Sequence, residues 1–168
     1  NLNTMHSRAG AQTPFSSINY GMDTSDEGRM VMKNVMLATD AGLGHGETPI
    51  FPIQIFRVKE GINYNPGERN YDLFQLAIKV SAKRLFPNFS FQDAPYNLQY
   101  YTPDDVRTEI GYMGCRTRVV ANNFDPANEI TYSRGNLSFT SINLPRLAIE
   151  ANGDEEEFTP SYSEEELI

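Results

Sequence analysis

The chain has few of the residues that stabilise small secreted or metal-binding domains. Its 168 residues include one cysteine, Cys115, and two histidines, His6 and His45. A single cysteine excludes an internal disulfide framework and is typical of a reducing compartment, so we expect a cytoplasmic protein. One cysteine and two histidines are also too few for the four ligands of a structural zinc site.

Long apolar runs and clustered positive charge are absent as well. No stretch approaches the roughly 20 apolar residues of a membrane-spanning helix. Residues 1–5 lack the charged start and apolar core of a signal peptide, and the missing initial methionine is expected of a chain that starts within a longer protein. No basic stripe of the kind that binds nucleic acid is present.

The net charge of −8 comes from one end of the chain. Residues 147–168 hold eight acidic side chains and no Lys or Arg, whereas acidic and basic residues balance in residues 1–146. The acidic end is expected to be solvated. From Arg107 to Arg146, five arginines accompany three acidic residues, and this local excess suits an anionic nucleotide.

Hydrophobic spacing and helix-end residues predict alternating strands and helices. We expect strands over 15–20, 49–58 and 89–91, and helices from Thr24 or Ser25 to Gly42 and over 71–85. A helix over 102–110 and strands over 118–121, 130–137 and 139–144 complete the prediction. This order indicates an α/β fold with parallel strands.

Each of the first two predicted helices has an apolar stripe that is expected to face the sheet. In the first helix the stripe comprises Met30, Val31, Val35, Met36, Ala38 and Ala41. In the second it comprises Leu73, Phe74, Ala77, Ile78, Ala82 and Leu85. Asn70 is the expected cap of the second helix.

The single cysteine follows two glycines and precedes two arginines. Because Gly111 and Gly114 permit tight turns, we predict a loop over 111–118 with Gly111 as its hinge. A sulfur on such a loop is a common way to present a reactive group, and the alternative is a buried, inert cysteine.

Two long motifs stand out, MGCRTRV at 113–119 and SRGNLSFTSINLPRLA at 133–148. They resemble the catalytic core of one enzyme family, the anaerobic (class III) ribonucleotide reductases. Three further segments extend the likeness, namely HSRAGAQTPFSSINYG at 6–21, GHGETPIFPIQIF at 44–56 and RLFPNFSF at 84–91. Several long motifs in the right order are far more specific than one short pattern.

The resemblance implies part of a ten-stranded α/β barrel built from two half-sheets. Residues 1–150 would form a portion of this barrel, with a finger loop at 111–118 through its centre. Residues 151–168 would form an acidic segment that begins a truncated helix. The family's radical glycine, its zinc-binding cysteines and its second catalytic cysteine have no match in this chain.

The resemblance also implies roles for individual residues. Cys115 would carry a thiyl radical that removes the 3′ hydrogen of a ribonucleotide, and Asn136 would hydrogen-bond the ribose hydroxyls. The alternative for Asn136 is a turn residue after a glycine. A loop that reports effector identity to the substrate base, or alternatively a plain surface loop, would contain Ser7, Arg8, Ala9, Gly10 and Gln12.

The chemistry implied for Cys115 makes a prediction about its neighbours. Nearby cations favour a thiolate, whereas a carrier of hydrogen atoms needs an S–H bond. We therefore expect the guanidinium groups of Arg116 and Arg118 to point away from the sulfur. Asn143 and Ser141 are weaker candidates for the site.

No cofactor is expected within this chain itself, which alone would be inactive. The resemblance implies that the complete enzyme uses formate as reductant, structural zinc, and a glycyl radical made by an S-adenosylmethionine iron–sulfur activase. It would act as a homodimer on ribonucleoside triphosphates under the control of ATP or deoxynucleotide effectors. Two alternatives stay open: another glycyl-radical enzyme, and a non-catalytic nucleotide-binding module.

Overall fold

A computed structural model describes residues 2–6, 13–103, 105–114 and 117–119, with the single residues 122, 125, 127, 143, 145, 146 and 149. The chain divides into two compact units, residues 1–134 and 135–168, and every element given below belongs to the first. None of the helices in these described ranges has the length and apolar character needed to span a membrane.

Three parallel strands form the centre of the first unit. They are β1 (Ser17–Tyr20), β2 (Ile53–Val58) and β3 (Asn88–Phe91), and β2 lies between the other two. Five of the six residues of β2 are buried, as expected of a parallel strand covered on both faces. The predicted parallel α/β arrangement is confirmed, although β2 begins only after Pro52, which has no N–H to donate.

Two helices link these strands and pack against each other. They are α1 (Asp26–Ala41) and α2 (Tyr71–Arg84). The Ser25 hydroxyl accepts a hydrogen bond from the N–H of Gly28 at 3.0 Å, and Gly42, with φ of 83°, follows the last turn. Both predicted ends of α1 are therefore confirmed, since each depends on local capping.

The helices bury only part of each predicted stripe, namely Met36 in α1 and Leu73 and Ala77 in α2. The buried residues are Met32, Met36 and Thr39 in α1, and Leu73, Ala77 and Val80 in α2. Among the predicted stripe residues, Met30 and Val31 are each 59% exposed and Leu85 is 80% exposed. The prediction was wrong there because both helices carry more apolar residues than one contact face holds, and spacing alone does not select the stripe.

Aromatic side chains fill the core between the sheet and the helices. Phe56 is fully buried, and its ring centroid lies 5.6 Å from that of Tyr20, 6.1 Å from that of Phe74 and 6.2 Å from that of Phe89. The Tyr20 hydroxyl donates to Gln54 Oε1 at 2.7 Å, and burial raises the pKa of this tyrosine. Ring pairs of this kind contribute about 0.5–1.5 kcal/mol beyond their buried area.

A hairpin covers the opposite face of the sheet. It consists of β4 (Gly111–Met113) and β5 (Thr117–Val119), which pair antiparallel. Its Tyr112 joins an apolar cluster with Phe51, Ile53, Ile55 and Phe86. Alternate residues of β2 therefore serve two cores, one shared with the helices and one shared with the hairpin.

The hairpin corrects the predicted loop over 111–118. Most of this segment is strand, and Gly111 pairs with Val119 instead of acting as a hinge. Gly114, with φ of 60°, is the glycine that adopts a left-handed conformation. The strand predicted over 118–121 is confirmed at residues 118 and 119.

The predicted helix over 102–110 is wrong. Among the described residues of this stretch a single 3₁₀ turn, Val106–Thr108, is found, and a short helix, α3 (Pro95–Leu98), precedes it. The Asp105 carboxylate accepts from the backbone N–H of Arg107 at 3.0 Å and also binds its guanidinium group. This side chain therefore competes with helical bonding. The same contacts lower the pKa of Asp105 to about 2.

Several other predictions lie outside the described residues. They concern the strands over 130–137 and 139–144 and the acidic segment 151–168. These remain predictions.

Two buried asparagines join the carboxyl ends of β1 and β2. The Asn63 amide donates to the carbonyls of Gly21 and Arg57, both at 2.9 Å, and accepts from the N–H of Lys59. The predicted cap Asn70 makes no side-chain cap bond to α2 and instead donates to the carbonyl of Gly21 at 3.1 Å. Both side chains are fully buried, and each supplies hydrogen bonds to backbone groups that water cannot reach.

Gly21 makes this junction possible. Its φ is 123°, and a Cβ at this position would lie 2.5 Å from the carbonyl oxygen of Arg57. Any other residue would therefore push the ends of β1 and β2 apart.

Replacing Asn63 with alanine is expected to destabilise the protein by about 2–4 kcal/mol, because two carbonyls and one N–H lose their buried partner. Urea unfolding monitored by tyrosine fluorescence measures this loss. The exposed Asn34→Ala variant on α1 is the matched control and should change stability by less than about 0.5 kcal/mol. An Asn63→Ala protein as stable as this control would contradict the role of the amide.

Replacing Tyr112 with alanine is expected to loosen the hairpin by about 2 kcal/mol, because the ring leaves its apolar cluster. That loss corresponds to roughly 30-fold faster amide exchange within residues 109–119, measured by mass spectrometry. Tyr112→Phe keeps the ring and should exchange at nearly the original rate. Equal exchange in both variants would show that the ring does not hold the hairpin.

Candidate functional site

Apart from the weaker candidate Asn143, which is exposed and accepts from the N–H of Arg146 at 3.0 Å, the predicted site residues lie outside the described part of the chain. These are Cys115, Asn136 and the loop residues Ser7, Arg8, Ala9, Gly10 and Gln12, so their roles remain predictions. The register of the hairpin, in which Met113 pairs with Thr117, leaves residues 114–116 to connect its strands. The structure describes Gly114, directly before Cys115, and Thr117, two residues after it.

Just before the hairpin, an ion pair joins the chain to the central strand, β2. Arg57 Nη1 of β2 donates to Glu109 Oε2 at 2.8 Å, and the two side chains are only 19% and 24% exposed. The next residue, Ile110, is buried. A partly buried charge pair of this geometry specifies a position more strongly than an exposed one, because either charge left alone is costly.

Side chains of β1 bind the backbone of β4. The N–H of Tyr112 donates to Asn19 Oδ1 at 2.9 Å, and Asn19 Nδ2 donates to the carbonyl of Tyr112 at 2.8 Å. The N–H of Gly114 donates to the hydroxyl of Ser17 at 3.2 Å. Because Ser17 and Asn19 are two residues apart in a strand, they project from the same face of the sheet.

The chain leaves the hairpin through contacts with α3. Arg118 Nη1 donates to Asn97 Oδ1 at 3.1 Å, and the guanidinium carbon lies 5.2 Å from the ring centroid of Tyr96. The buried Asn97 in turn donates to the carbonyl of Phe91 at the end of β3. Arg118 is thus directed onto α3, while its predicted orientation relative to the sulfur remains untested because Cys115 is not described.

The sheet face beneath the hairpin is more polar than the face beneath the helices. By strand alternation and register, its polar members are Ser17, Asn19, Arg57, Asn88 and Ser90. Four of these five are neutral groups that donate or accept hydrogen bonds, and Arg57 is neutralised by Glu109. Ser17, Asn19 and Arg57 use these groups to bind the hairpin and the residue that leads into it, and the face has no described group poised as a strong acid or base.

Sequence reasoning missed the four residues that hold the hairpin to the sheet, namely Ser17, Asn19, Arg57 and Glu109. A signal existed, because polar residues at alternate positions of predicted strands mark one face as polar. Their partners lie 52–97 positions away in the chain, and spacing does not reveal contacts of that range. In the described ranges no three His, Cys, Asp or Glu side chains cluster as metal ligands.

Comparison with known proteins gives the family. The model of the family "Anaerobic ribonucleoside-triphosphate reductase" matches residues 1–166. The chain is 35% identical over 160 residues to the anaerobic ribonucleoside-triphosphate reductase of Escherichia coli K12, which covers 94% of this chain and 21% of that protein. The corresponding protein of enterobacteria phage T4 is 36% identical over 151 residues, covering 89% and 24% respectively.

A third relative agrees with these two. The anaerobic ribonucleoside-triphosphate reductase of Haemophilus influenzae is 34% identical over 158 residues, covering 92% of this chain and 21% of the relative. The chain thus spans about a fifth to a quarter of the length of these relatives. With nearly its whole length matched, the chain belongs to the anaerobic ribonucleoside-triphosphate reductase family.

Proposed function

We propose that this chain is the part of an anaerobic ribonucleoside-triphosphate reductase that carries the substrate-activating cysteine, Cys115. The observation that carries the proposal is the family match over residues 1–166, which includes both Cys115 and Asn136. The structure supports it with a hairpin whose two strands flank Cys115 in sequence and are bonded to a parallel sheet.

The barrel of the family is the proposed setting for this sheet. Residues 1–150 would supply a portion of its ten strands, with α1 and α2 on the outside and the hairpin of residues 111–119 inside. The polar hairpin face and the aromatic helix face of the described strands are consistent with this arrangement. Residues 151–168 would begin the next helix.

The proposed reaction replaces the 2′ hydroxyl of a ribonucleotide with hydrogen. A thiyl radical on Cys115 takes the 3′ hydrogen atom, so an S–H bond forms and the unpaired electron moves to the sugar carbon. The 2′ hydroxyl leaves as water, and formate supplies two electrons as it becomes carbon dioxide. Ribonucleotide, formate and one proton thus yield deoxyribonucleotide, carbon dioxide and water, and Cys115 regains its radical when the 3′ hydrogen returns.

Asn136 is proposed to bind the ribose hydroxyls during these steps. A neutral amide can both donate and accept hydrogen bonds without moving a proton, which suits radical chemistry. A glycyl radical elsewhere in the complete enzyme would supply the oxidising equivalent that starts the reaction.

Further parts of the proposal concern regulation and assembly. The segment of Ser7, Arg8, Ala9, Gly10 and Gln12 would report the bound nucleotide effector to the substrate base. A radical-forming activase, structural zinc held outside this chain and a homodimer complete the proposed enzyme. In the chain, residues 13–16 separate this segment from β1, whose Asn19 side chain binds the hairpin.

In a complete reductase containing this sequence, Cys115→Ala and Cys115→Ser are expected to abolish deoxynucleotide formation, because neither replacement can carry a thiyl radical. Asn136→Ala should lower kcat by about 10²–10³-fold, as does loss of other preorganised hydrogen bonds. Chromatographic product analysis measures turnover, and electron paramagnetic resonance measures the glycyl radical, which should persist in all three variants.

Asn34→Ala, an exposed amide change on α1, is the control and should retain full turnover. Near-normal turnover of Cys115→Ala would refute the thiyl assignment. Full activity of Asn136→Ala would instead remove that residue from the site and leave the role of Cys115 intact.

A further inference from the structure

Two side chains of β1 hold the hairpin strand that leads to Cys115. Asn19 satisfies both backbone groups of Tyr112, at 2.9 Å and 2.8 Å, and therefore takes the place of a neighbouring strand. These two groups must point away from β5, as in a non-hydrogen-bonded antiparallel pair. The outer edge of β4 is thus bound at one residue by a side chain that projects from the sheet.

The second contact lies next to the cysteine in sequence. The hydroxyl of Ser17 accepts from the N–H of Gly114 at 3.2 Å, and Gly114 holds a left-handed conformation with φ of 60°. Consecutive Cα atoms are about 3.8 Å apart, so a restraint on Gly114 directly limits where the backbone of Cys115 lies. Asn19 and Ser17 bind positions three and one residues before the cysteine, respectively.

From these contacts we infer that Asn19 and Ser17 are positioning residues, which set the distance between Cys115 and the substrate. The inference rests on the proposed function. Transfer of a hydrogen atom needs reacting atoms about 3–3.5 Å apart, and a displacement of 1 Å can cost about 10²-fold in rate. The two side chains act through the hairpin backbone and need not touch the substrate.

The sheet and the hairpin also have contacts that do not involve these two side chains. β1 is held in the sheet by its backbone ladder with β2, which pairs Ser17 with Ile53 and Asn19 with Ile55. The Tyr112 ring and the Arg57–Glu109 ion pair also remain when either side chain is shortened. Removing the amide or the hydroxyl is therefore expected to move the hairpin on an intact sheet.

The test uses a complete reductase containing this sequence, and kcat is expressed per glycyl radical so that unfolded or unactivated protein does not count. Asn19→Ala should lower this kcat by about 10- to 100-fold, with the dissociation constant of a ribonucleoside triphosphate changed less than twofold. Ser17→Ala should lower it by about 3- to 10-fold, since a single longer bond is lost.

Conservative variants separate positioning from a general structural effect. Ser17→Thr keeps the hydroxyl and should restore kcat to within twofold of the original. Asn19→Asp keeps the acceptor for the Tyr112 N–H but places a second oxygen against the Tyr112 carbonyl. Its kcat per radical should therefore stay at least about tenfold below the original value. Should Asn19→Ala not yield folded protein, the Ser17 pair decides the question.

The inference is overturned if Asn19→Ala retains kcat per radical within twofold, or if Ser17→Thr is as slow as Ser17→Ala. If Cys115→Ala is inactive and the β1 variants have normal kcat, the positioning inference is wrong and the proposed function stands. An active Cys115→Ala would instead remove the proposed function on which it rests. Asn34→Ala again serves as the unaffected control.

Discussion

The burial of β2 on both faces is the constraint on which the described structure depends. Alternate residues of β2 face two different environments, and the two sets differ in the type of side chain. Phe56 and Val58 pack with the helices, whereas Ile53 and Ile55 pack with the hairpin. Arg57 lies on the same face as Ile53 and Ile55 and forms the ion pair with Glu109. Displacing this strand would separate the helices and the hairpin from their common support.

Local signals in the sequence predicted the helix ends and the strands of the sheet. Ser25 and Gly42 work through bonds to the adjacent turn, so nearby residues suffice to identify them. The apolar run of β2 likewise predicted a strand buried on both sides. The buried stripes and the hairpin depended on tertiary contacts. Asn70 shows the difference, because a plausible cap residue instead bonds the carbonyl of Gly21, 49 positions away.

The candidate site was predictable in part, for a similar reason. Motifs identified the segment around Cys115 because several long patterns occur in family order. They did not identify Asn19, whose contact with Tyr112 spans 93 positions. A polar residue inside a strand has many possible partners, and only the assembled sheet selects one. The residues that hold a motif segment in place are therefore harder to predict from sequence than the motif itself.

Close approach of β1 and β2 at Gly21 has a consequence for how a ligand reaches the sheet. Open α/β sheets usually bind ligands in a crevice beyond the carboxyl ends of their strands. Between these two strands that space is occupied by the amides of Asn63 and Asn70, and the backbones meet at Gly21. Beyond the carboxyl ends of β1 and β2, the space that a ligand usually takes is therefore filled by the protein's own amides.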